Sequence, residues 1–341
     1  METKVLLPTK DNIKLVGEAL RNGNIAALPT ETVYGLAANA LNGSAVKAVF
    51  EAKGRPMDNP LIVHISDFEQ IEKFKLARKI PEKALRLAEK FWPGPLTVIV
   101  PKGEGVPDEV SAGLDTVAIR LPSHIVTQAV ITAAECPLAA PSANTSGRPS
   151  PTAALHVLHD MNGKIPYIID GGCCEVGVES TVVTVAKEQP VLLRPGGITL
   201  EQLIGVIGEV AVADAVLNKM QEGQKAESPG MKYKHYAPKA NLVLIKSTLD
   251  KYIDYVNSRK SSDVGALCYD EDVPGLEVAA FPFGSRNDYV QQANRLFDSL
   301  RKIDETDLKL IYGRCPDTNG AAMAVYNRLI RAAGFEVIEL A

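Results

Sequence analysis

The sequence predicts an α/β protein of two domains, on three observations. Short apolar runs that are typical of buried strands alternate with segments of helical periodicity along most of the 341 residues. A polar stretch rich in Pro and aromatic residues interrupts this alternation at about 211–240. The alternation then resumes for roughly 100 residues, which is enough for a small domain. We therefore expect a first domain at 1–210, a linker at 211–240 and a second domain at 241–341.

The elements of the first domain follow from caps and periodicity. The first helix should begin after Thr9, a suitable N-cap, and end at Gly23. Ser44 is predicted to cap a second helix, which runs to about Lys53. Further strands are predicted at 25–28, 61–65, 96–100, 117–121, 167–170, 180–185 and 191–193, and helices at 81–91, 123–134, 152–160 and 199–207. Because some strands follow one another too closely for a helical crossover, we expect a mixed sheet.

The linker is predicted to have a function of its own. Its last part, Ser228–Pro238, carries Pro, Gly and three aromatic-ring residues, which suits an extended chain better than a helix. A featureless linker would be rich in Gly and Ser instead. Beyond it, strands are predicted at 242–245, 264–268 and 308–312, and helices at 249–256, 288–301 and 321–333. This rhythm predicts a small three-layer α/β domain.

Composition excludes several classes of protein. Hydrophobic residues make up 46% and charged residues 23%, so the chain can bury ordinary cores and is not disordered. Thirty-seven basic against 41 acidic residues, a formal charge of −4, argue against a generic polyanion-binding tail. The five cysteines show no C-x-x-C spacing, and no apolar run approaches the roughly 18 residues of a membrane span. We expect a soluble, cytoplasmic protein with no membrane partner.

The familiar short motifs of catalysis are absent. The sequence contains no P-loop, dinucleotide-binding, H-E-x-x-H or G-x-S-x-G motif. Ser44 and Lys47 match S-x-x-K formally, but Ser44 suits a helix cap better. His156, His159 and Asp160 could in principle ligate a metal, yet no further ligand cluster supports them. We predict no protein-held metal site.

Polar residues concentrate instead in four loops at predicted strand or helix ends, where α/β proteins place their sites. These loops are Leu28–Leu36, Lys53–Pro60, Ala140–Arg148 and Arg194–Gly197. The first crowds two threonines, a carboxylate and a tyrosine around Gly35. The third is rich in hydroxyl and amide groups that can surround an anion.

Five cations accompany these loops. Lys53 and Arg55 form a rigid pair that suits two neighbouring phosphate oxygens. Arg148 and Arg194 lie on two of the other loops, and Arg120 lies inside an apolar strand, where burial would require an anionic partner. This set fits a nucleotide plus a small carboxylate. No pair of acids stands out, so catalysis would rely on positioning and charge stabilisation.

The same segments carry a family resemblance. Pro29–Leu36 (PTETVYGL), Lys53–Pro56 (KGRP), Pro141–Asn144 (PSAN) and Glu179–Val182 (ESTV) resemble the YrdC-like threonylcarbamoyl-AMP synthases. Arg194–Gly196, Ser228–Pro238 and the C-terminal α/β region resemble the long two-domain form of that family. The resemblance implies a YrdC-like twisted mixed sheet with helices, followed by a smaller Rossmann-like α/β domain.

The family activity implied is the synthesis of L-threonylcarbamoyl-AMP from L-threonine, bicarbonate and ATP, with release of pyrophosphate. ATP is a substrate, and Mg²⁺ would accompany its triphosphate. A downstream tRNA threonylcarbamoyl transferase then modifies an adenosine next to the anticodon. The resemblance also implies weak RNA binding, for which the composition offers no independent argument.

The resemblance also implies roles for individual residues. Residues that would bind threonine are Thr30, His64, Arg120 and Ser180, with Arg120 holding the carboxylate. Residues that would bind ATP are Lys53, Arg55, Ser142, Asn144, Arg194, Tyr236 and His235, of which Lys53 and Arg55 would be catalytic. The linker would cross the nucleotide site, with Tyr236 its stronger contact and His235 its weaker one.

Two other functions remain open at this stage. A double-stranded-RNA-binding or ribosome-maturation factor on the same fold would need a basic groove, against which the pI of about 5.8 argues. A carbamoyltransferase maturation factor would be much longer and would carry zinc-finger-like cysteine clusters, which this sequence lacks. Both are ranked below the synthase.

Overall fold

The computed structural model describes residues 2–219 and 236–340. The chain divides into two compact units. The first comprises Met1–Ser146, Pro151–Glu175 and Glu179–Lys232, and the second comprises Gly147–Ser150, Val176–Val178 and Tyr233–Ala341. Two short segments that lie within the sequence of the first unit thus belong to the second unit.

The first unit alternates short strands with helices. Its strands are β1 (Lys4–Leu6), β2 (Ala26–Leu28), β3 (Gly35–Asn39), β4 (Ile62–His64), β5 (Leu96–Pro101), β6 (Thr116–Arg120), β7 (Leu138–Ala139), β8 (Tyr167–Ile169), β9 (Thr181–Thr184), β10 (Val191–Arg194) and β11 (Ala211–Val212). Its helices are α1 (Lys10–Arg21), α2 (Gly43–Lys53), α3 (Glu69–Lys73), α4 (Glu82–Phe91), α5 (Asp108–Ser111), α6 (Ile125–Ala134), α7 (Ala154–Met161) and α8 (Leu200–Ile207), with a short 3₁₀ turn at Asp214–Val216.

The eleven strands form one sheet, in the order β1-β8-β2-β3-β7-β4-β6-β5-β9-β10-β11. The prediction of a mixed sheet is confirmed, because β4 pairs with β6 in parallel whereas β5 pairs with β6 in antiparallel fashion. Apolar clusters cover both faces. One joins α2 and α7 to the sheet, and the other joins α1 and α6 to it.

The pairing directions decide where the polar loops meet. Strand β5 runs parallel to β9, and β10 runs antiparallel to β9. Strands β4, β6 and β10 therefore all end at one edge of the sheet, and β9 begins there. Their last residues are His64, Arg120 and Arg194. Three of the predicted site residues are thus the last residues of three strands that end on the same side of the sheet.

Of the two N-caps predicted in the first domain, one is confirmed and the other is wrong. The Thr9 hydroxyl accepts a hydrogen bond from the main-chain N–H of Asn12 at 3.3 Å, as predicted for an N-cap. The prediction that Ser44 caps α2 is wrong. The side chain of Asn42 accepts hydrogen bonds from the N–H groups of Ser44 and Ala45 instead, so Ser44 lies within the first turn.

The second unit contains a smaller parallel sheet. Its strands are β12 (Asn241–Lys246), β13 (Val264–Cys268), β14 (Ala279–Pro282), β15 (Leu310–Arg314) and β16 (Val337–Glu339), and its helices are α9 (Leu249–Asn257), α10 (Tyr289–Asp304) and α11 (Ala322–Ala332), with a 3₁₀ turn at Asp270–Gly275. The strand order is β14-β13-β15-β12-β16, and every pairing is parallel. The predicted two-domain α/β fold is confirmed. No helix in the described part of the chain has the length and apolar character needed to cross a membrane.

Candidate active site

The loop after β2 is organised by Thr30. Its hydroxyl donates to the carbonyl oxygen of Val33 at 2.6 Å and accepts the N–H groups of Thr32 and Val33, each at 3.2 Å. The hydroxyl oxygens of Thr30 and Thr32 are 2.7 Å apart. Since the Thr30 proton is already donated, Thr32 is the donor in this contact. The polar sequence of this loop therefore folds back on itself into a fixed turn.

Arg120 at the end of β6 is tied to that turn. Its Nη1 donates to the Thr32 hydroxyl at 3.0 Å, its Nε donates to the carbonyl oxygen of Gly94 at 3.3 Å, and its Nη2 lies 2.8 Å from Oε1 of Glu31. Arg120 and Glu31 are 3% and 4% exposed. The prediction that Arg120 would need an anionic partner is confirmed, and Glu31 is that partner.

Electrostatics hold this pair in its ionic form. Burial alone would raise the pKa of Glu31, but the Arg120 charge, its hydrogen bond and the N–H of Ser123 together lower that pKa below its ordinary value. Glu31 is thus a carboxylate at neutral pH, and it compensates the Arg120 guanidinium.

His64 lies beside the same pair, at the end of β4. Burial and the Arg120 guanidinium lower the pKa of His64 to about 3, so its ring is neutral at physiological pH. Its Nδ1 donates to the carbonyl oxygen of Ile62 at 3.1 Å. A small cavity adjoins the ring, with a lining that is mostly apolar: Leu28, Thr30, Gly35, Ala37, His64, Thr127, Leu138 and Ala140.

Lys53 ends α2 and points into the 141–146 loop. Its Nζ donates to the carbonyl oxygens of Ser142 at 2.5 Å and of Asn144 at 2.6 Å, and the residue is 2% exposed. Burial and the neighbouring Arg55 charge lower the pKa of Lys53 well below its usual value. The second and third predicted loops are thus joined by the side chain of Lys53.

The remaining residues of these loops are also fixed in place. The main-chain N–H of Ala143 donates to the carbonyl oxygen of Tyr34 at 2.8 Å, which links the third loop to the first. The Asn144 amide donates to the carbonyl oxygen of Thr145 at 2.9 Å. The half-buried Arg55 guanidinium lies 5.7 Å from the centre of the Phe50 ring.

Ser180 and Arg194 form a third cluster at the sheet edge. Arg194 donates to the Ser180 carbonyl oxygen from Nε at 3.0 Å and to the Ser180 hydroxyl from Nη2 at 3.1 Å. The Ser180 hydroxyl also lies 2.8 Å from that of Thr97. Gly196 permits this packing, because a Cβ there would lie 2.3 Å from the Thr181 nitrogen.

Tyr236, the predicted linker contact, belongs to the second unit. It is buried, its ring centre is 5.2 Å from that of Phe297, and the Arg328 guanidinium lies 5.9 Å from its centre. His235 lies outside the described residues. Arg148 lies in the Gly147–Ser150 segment of the second unit.

The structure brings together Thr30, His64 and Arg120, joins Lys53 to the loop of Ser142 and Asn144, and pairs Ser180 with Arg194. The predicted roles omit two residues of this arrangement. Glu31 and Thr32 both bind Arg120, although about 90 residues separate them from it in sequence. Their presence in the polar 29–36 loop was the one available signal, and it does not specify a partner.

Comparison with known proteins shows which chains this one is similar to. A family model described as "Telomere recombination" (Sua5, YciO and YrdC) matches residues 18–196, and a second, "Threonylcarbamoyl-AMP synthase, C-terminal domain", matches 198–334. The chain is 46% identical over 337 residues to the threonylcarbamoyl-AMP synthase of Pyrococcus abyssi, covering 96% of each chain. The chain belongs to the threonylcarbamoyl-AMP synthase family. The resemblance predicted from the loop motifs is thereby confirmed.

Other family members extend the match. The Bacillus subtilis threonylcarbamoyl-AMP synthase is 46% identical over 339 residues, covering 97% of this chain and 96% of that protein. The crystal structure of P. abyssi Sua5 complexed with L-threonine has a TM-score of 0.92 and 44% identity, covering 99% of this chain and all of that one. A P. abyssi Sua5 variant, with an adjacent histidine and tyrosine changed to alanine, has a TM-score of 0.93 and 42% identity, covering 99% of this chain and 98% of that one.

Proposed function

We propose that this chain synthesises L-threonylcarbamoyl-AMP from L-threonine, bicarbonate and ATP and releases pyrophosphate. The product would serve threonylcarbamoyladenosine modification of tRNA next to the anticodon. The observation that carries the proposal is the near full-length match to a relative whose crystal structure holds L-threonine. In this chain, the buried Arg120 guanidinium beside Thr30 and His64 is suited to such a ligand.

The threonine part of the proposal assigns its carboxylate to Arg120. A guanidinium has five N–H donors; Gly94 and Thr32 accept two of those on Arg120, and Glu31 forms an ion pair with Nη2. One further N–H on each terminal nitrogen is then available to a carboxylate in the two-pronged geometry that Arg favours. Thr30, His64 and Ser180 would complete the contacts to the amino acid.

The nucleotide part of the proposal assigns ATP to the Lys53 and Arg194 clusters. Two of the three Nζ donors of Lys53 bind main-chain oxygens, which leaves one for a phosphate oxygen. Arg55, Ser142 and Asn144 would supply the further contacts. An anion bound there would favour the charged form of Lys53 and offset its desolvation.

The proposed reaction has two steps. The α-ammonium of threonine first releases a proton to solvent, and the free amine then attacks the carbon of bicarbonate; loss of water gives a carbamate. A carbamate oxygen then attacks the α-phosphorus of ATP, and pyrophosphate leaves. Lys53 and Arg55 would stabilise the charge that develops during the second step.

Mg²⁺ would enter this site with the triphosphate. In the described parts of the chain, no three His, Cys, Asp or Glu side chains group so that they could hold a metal ion. The donors that are present are cations, hydroxyls and amides, which suit the phosphates rather than the metal. We therefore assign no protein ligand to the ion.

In the proposed organisation, a catalytic domain at 1–210 and a C-terminal domain at 241–341 are joined by a linker at 211–240. We propose that 228–238 crosses the nucleotide site, with Tyr236 and His235 as its contacts. The dipeptide His-Tyr occurs once in this chain, at these two positions. The structure of a P. abyssi Sua5 variant in which an adjacent histidine and tyrosine are replaced by alanine is known. That choice of residues supports a role for His235 and Tyr236 here.

The decisive experiment is pyrophosphate release from ATP by the purified chain with Mg²⁺, omitting threonine and bicarbonate in turn. The proposal requires release only when both are present. Release with bicarbonate but without threonine would indicate a different acceptor. No release in any combination by a folded protein would favour the RNA-binding function, which a salt-dependent RNA-binding titration would then test. Transfer of the product to tRNA would need the separate transferase.

A further inference from the structure

Glu31 is a buried charged residue to which the predicted roles assign no task. Its Oε1 lies 2.8 Å from Nη2 of Arg120 and accepts the N–H of Ser123 at 3.2 Å. Its Oε2 is closed off from solvent and has no hydrogen-bond partner among the residues that the structure describes. Buried carboxylate oxygens in proteins normally have such a partner, so this atom requires a donor.

The two nearby threonine hydroxyls are already engaged as donors. The Thr30 hydroxyl donates to the carbonyl oxygen of Val33, and the Thr32 hydroxyl donates to Thr30. Nη2 of Arg120 forms an ion pair with Oε1, and neither Nη2 nor Oε2 has a hydrogen-bond partner among the residues that the structure describes. Oε2 and Nη2 are thus an unpartnered acceptor and an unpartnered donor side by side, and a ligand with a cationic donor would make a strong hydrogen bond with Oε2.

The charges of Glu31 and Arg120 also complement those of an amino acid. A carboxylate and a guanidinium lie 2.8 Å apart at the loop end of β6, and both are buried. An α-amino acid presents an ammonium and a carboxylate on adjacent atoms. Each end of such a ligand would meet the opposite charge.

We propose that Glu31 binds the α-ammonium of L-threonine through Oε2, while Arg120 binds the α-carboxylate. This inference rests on the proposed function and deepens it, because it assigns the amine to a residue. Glu31 would then give the site its preference for an amino acid over a hydroxy acid. A ligand that carries a carboxylate but no ammonium would gain no net attraction from the Glu31–Arg120 pair, because the two charges cancel. Its carboxylate would also compete with Glu31 for Arg120.

A purely structural role for Glu31 makes a different prediction. If Glu31 only compensates Arg120, its replacement should weaken every ligand that binds Arg120 by a similar factor. If Glu31 binds the ammonium, its replacement should weaken L-threonine alone. The ratio of the two affinities therefore separates the two roles, which a loss of activity would not.

The experiment is calorimetric titration of the full chain with L-threonine and with 2,3-dihydroxybutanoate, in which a hydroxyl replaces the ammonium. Wild type should bind L-threonine roughly 10- to 100-fold more tightly, as for a charge-assisted hydrogen bond. Glu31→Gln should lose most of that preference by weakening L-threonine, with dihydroxybutanoate binding unchanged or improved. Glu104→Gln, which removes a carboxylate that pairs with Lys75 at an exposed position, is the matched control and should keep the preference.

Two outcomes would overturn the inference. One is equal weakening of both ligands in Glu31→Gln, and the other is equal affinity of wild type for the two ligands. The second comparison needs no variant, so it decides even where Glu31→Gln fails to fold. If wild type binds threonine and releases pyrophosphate but shows either outcome, the Glu31 role fails and the proposed function stands. If wild type neither binds threonine nor releases pyrophosphate, the proposed function itself fails.

Discussion

Arg314 and Asp272 form a two-pronged ion pair inside the second unit. Nε of Arg314 donates to Oδ2 of Asp272 at 2.9 Å, and Nη2 donates to Oδ1 at 2.7 Å. Both side chains are at most 4% exposed, and the guanidinium lies 4.2 Å from the centre of the Tyr252 ring. Nη1 donates to the main-chain oxygens of Ser247 and Thr248. The guanidinium thus joins the carboxyl ends of β12 and β15 to the 3₁₀ turn before β14.

We predict that Arg314→Met destabilises the chain by about 3–5 kcal/mol, because it leaves Asp272 buried and unpaired. The free energy of unfolding in urea measures this change. Arg295→Met is the control, since its pair with Asp270 is more than one-third exposed on both sides and should contribute at most about 1 kcal/mol. Equal effects of the two substitutions would contradict the structural role given to the Arg314 pair.

Substitution of Gly196 would test the close packing next to the Ser180 and Arg194 cluster. A Cβ at this position would lie 2.3 Å from the Thr181 nitrogen and 2.6 Å from the Glu179 carbonyl oxygen. Main-chain atoms cannot move aside cheaply, so we expect Gly196→Ala to destabilise the protein by about 1–3 kcal/mol. It should also lower the rate of pyrophosphate release by displacing Arg194.

A matched glycine lies nearby in sequence on α8. A Cβ at Gly205 would meet no atom within 4 Å, and this residue is exposed. Gly205→Ala should therefore stabilise the helix by up to about 1 kcal/mol and leave activity unchanged. Thermal unfolding of both variants supplies the comparison. Stabilisation by Gly196→Ala would show that the turn relaxes around an added methyl group.

The sequence predicted which loops form the candidate site, but not which of their residues pair with one another. Arg120 in an apolar strand predicted an anionic partner on energetic grounds alone. Its partner Glu31 could not be named, since a contact between loops about 90 residues apart depends on how β2 and β6 are placed in the sheet. Sequence periodicity reports only local structure.

The same limit explains the errors in local structure. Asn42 and Ser44 are both good N-cap residues, and two positions separate them, so composition alone does not decide between them. Strand β3, Gly35–Asn39, was not predicted because its sequence GLAAN lacks the β-branched and aromatic residues that favour strands. It forms a strand because β2 and β7 flank it and pair with it.

Substitution of Arg55 is the test of phosphate binding that should disturb the fold least. Arg55 is half-buried, whereas Lys53 is buried and holds the 141–146 loop. We expect Arg55→Ala to lower kcat/KM for pyrophosphate release by roughly 30- to 1000-fold, equivalent to about 2–4 kcal/mol of transition-state stabilisation. Arg86→Ala, at an exposed position of α4, is the control and should stay within about 2-fold of wild type. Near-normal turnover of folded Arg55→Ala would mean that other cations bind the phosphates.

The protonation of His64 should make the stability of the protein depend on pH. Burial and the Arg120 charge lower its pKa to about 3 in the folded protein, whereas an unfolded histidine titrates near 6.5. Between these values the unfolded chain binds a proton that the folded protein does not. Stability is therefore lost as the pH falls from about 6.5, by up to about 1.4 kcal/mol per pH unit.

This dependence can be isolated by comparing variants. The stability of wild type relative to His64→Gln should be constant near pH 7–8 and should fall by roughly 2 kcal/mol at pH 5. Subtracting the variant removes the contributions of Glu31 and His124, whose pKa values are also lowered. A difference that stays flat from pH 8 to pH 5 would mean that His64 accepts its proton in the folded site, and the neutral ring assigned to it beside Arg120 would be wrong.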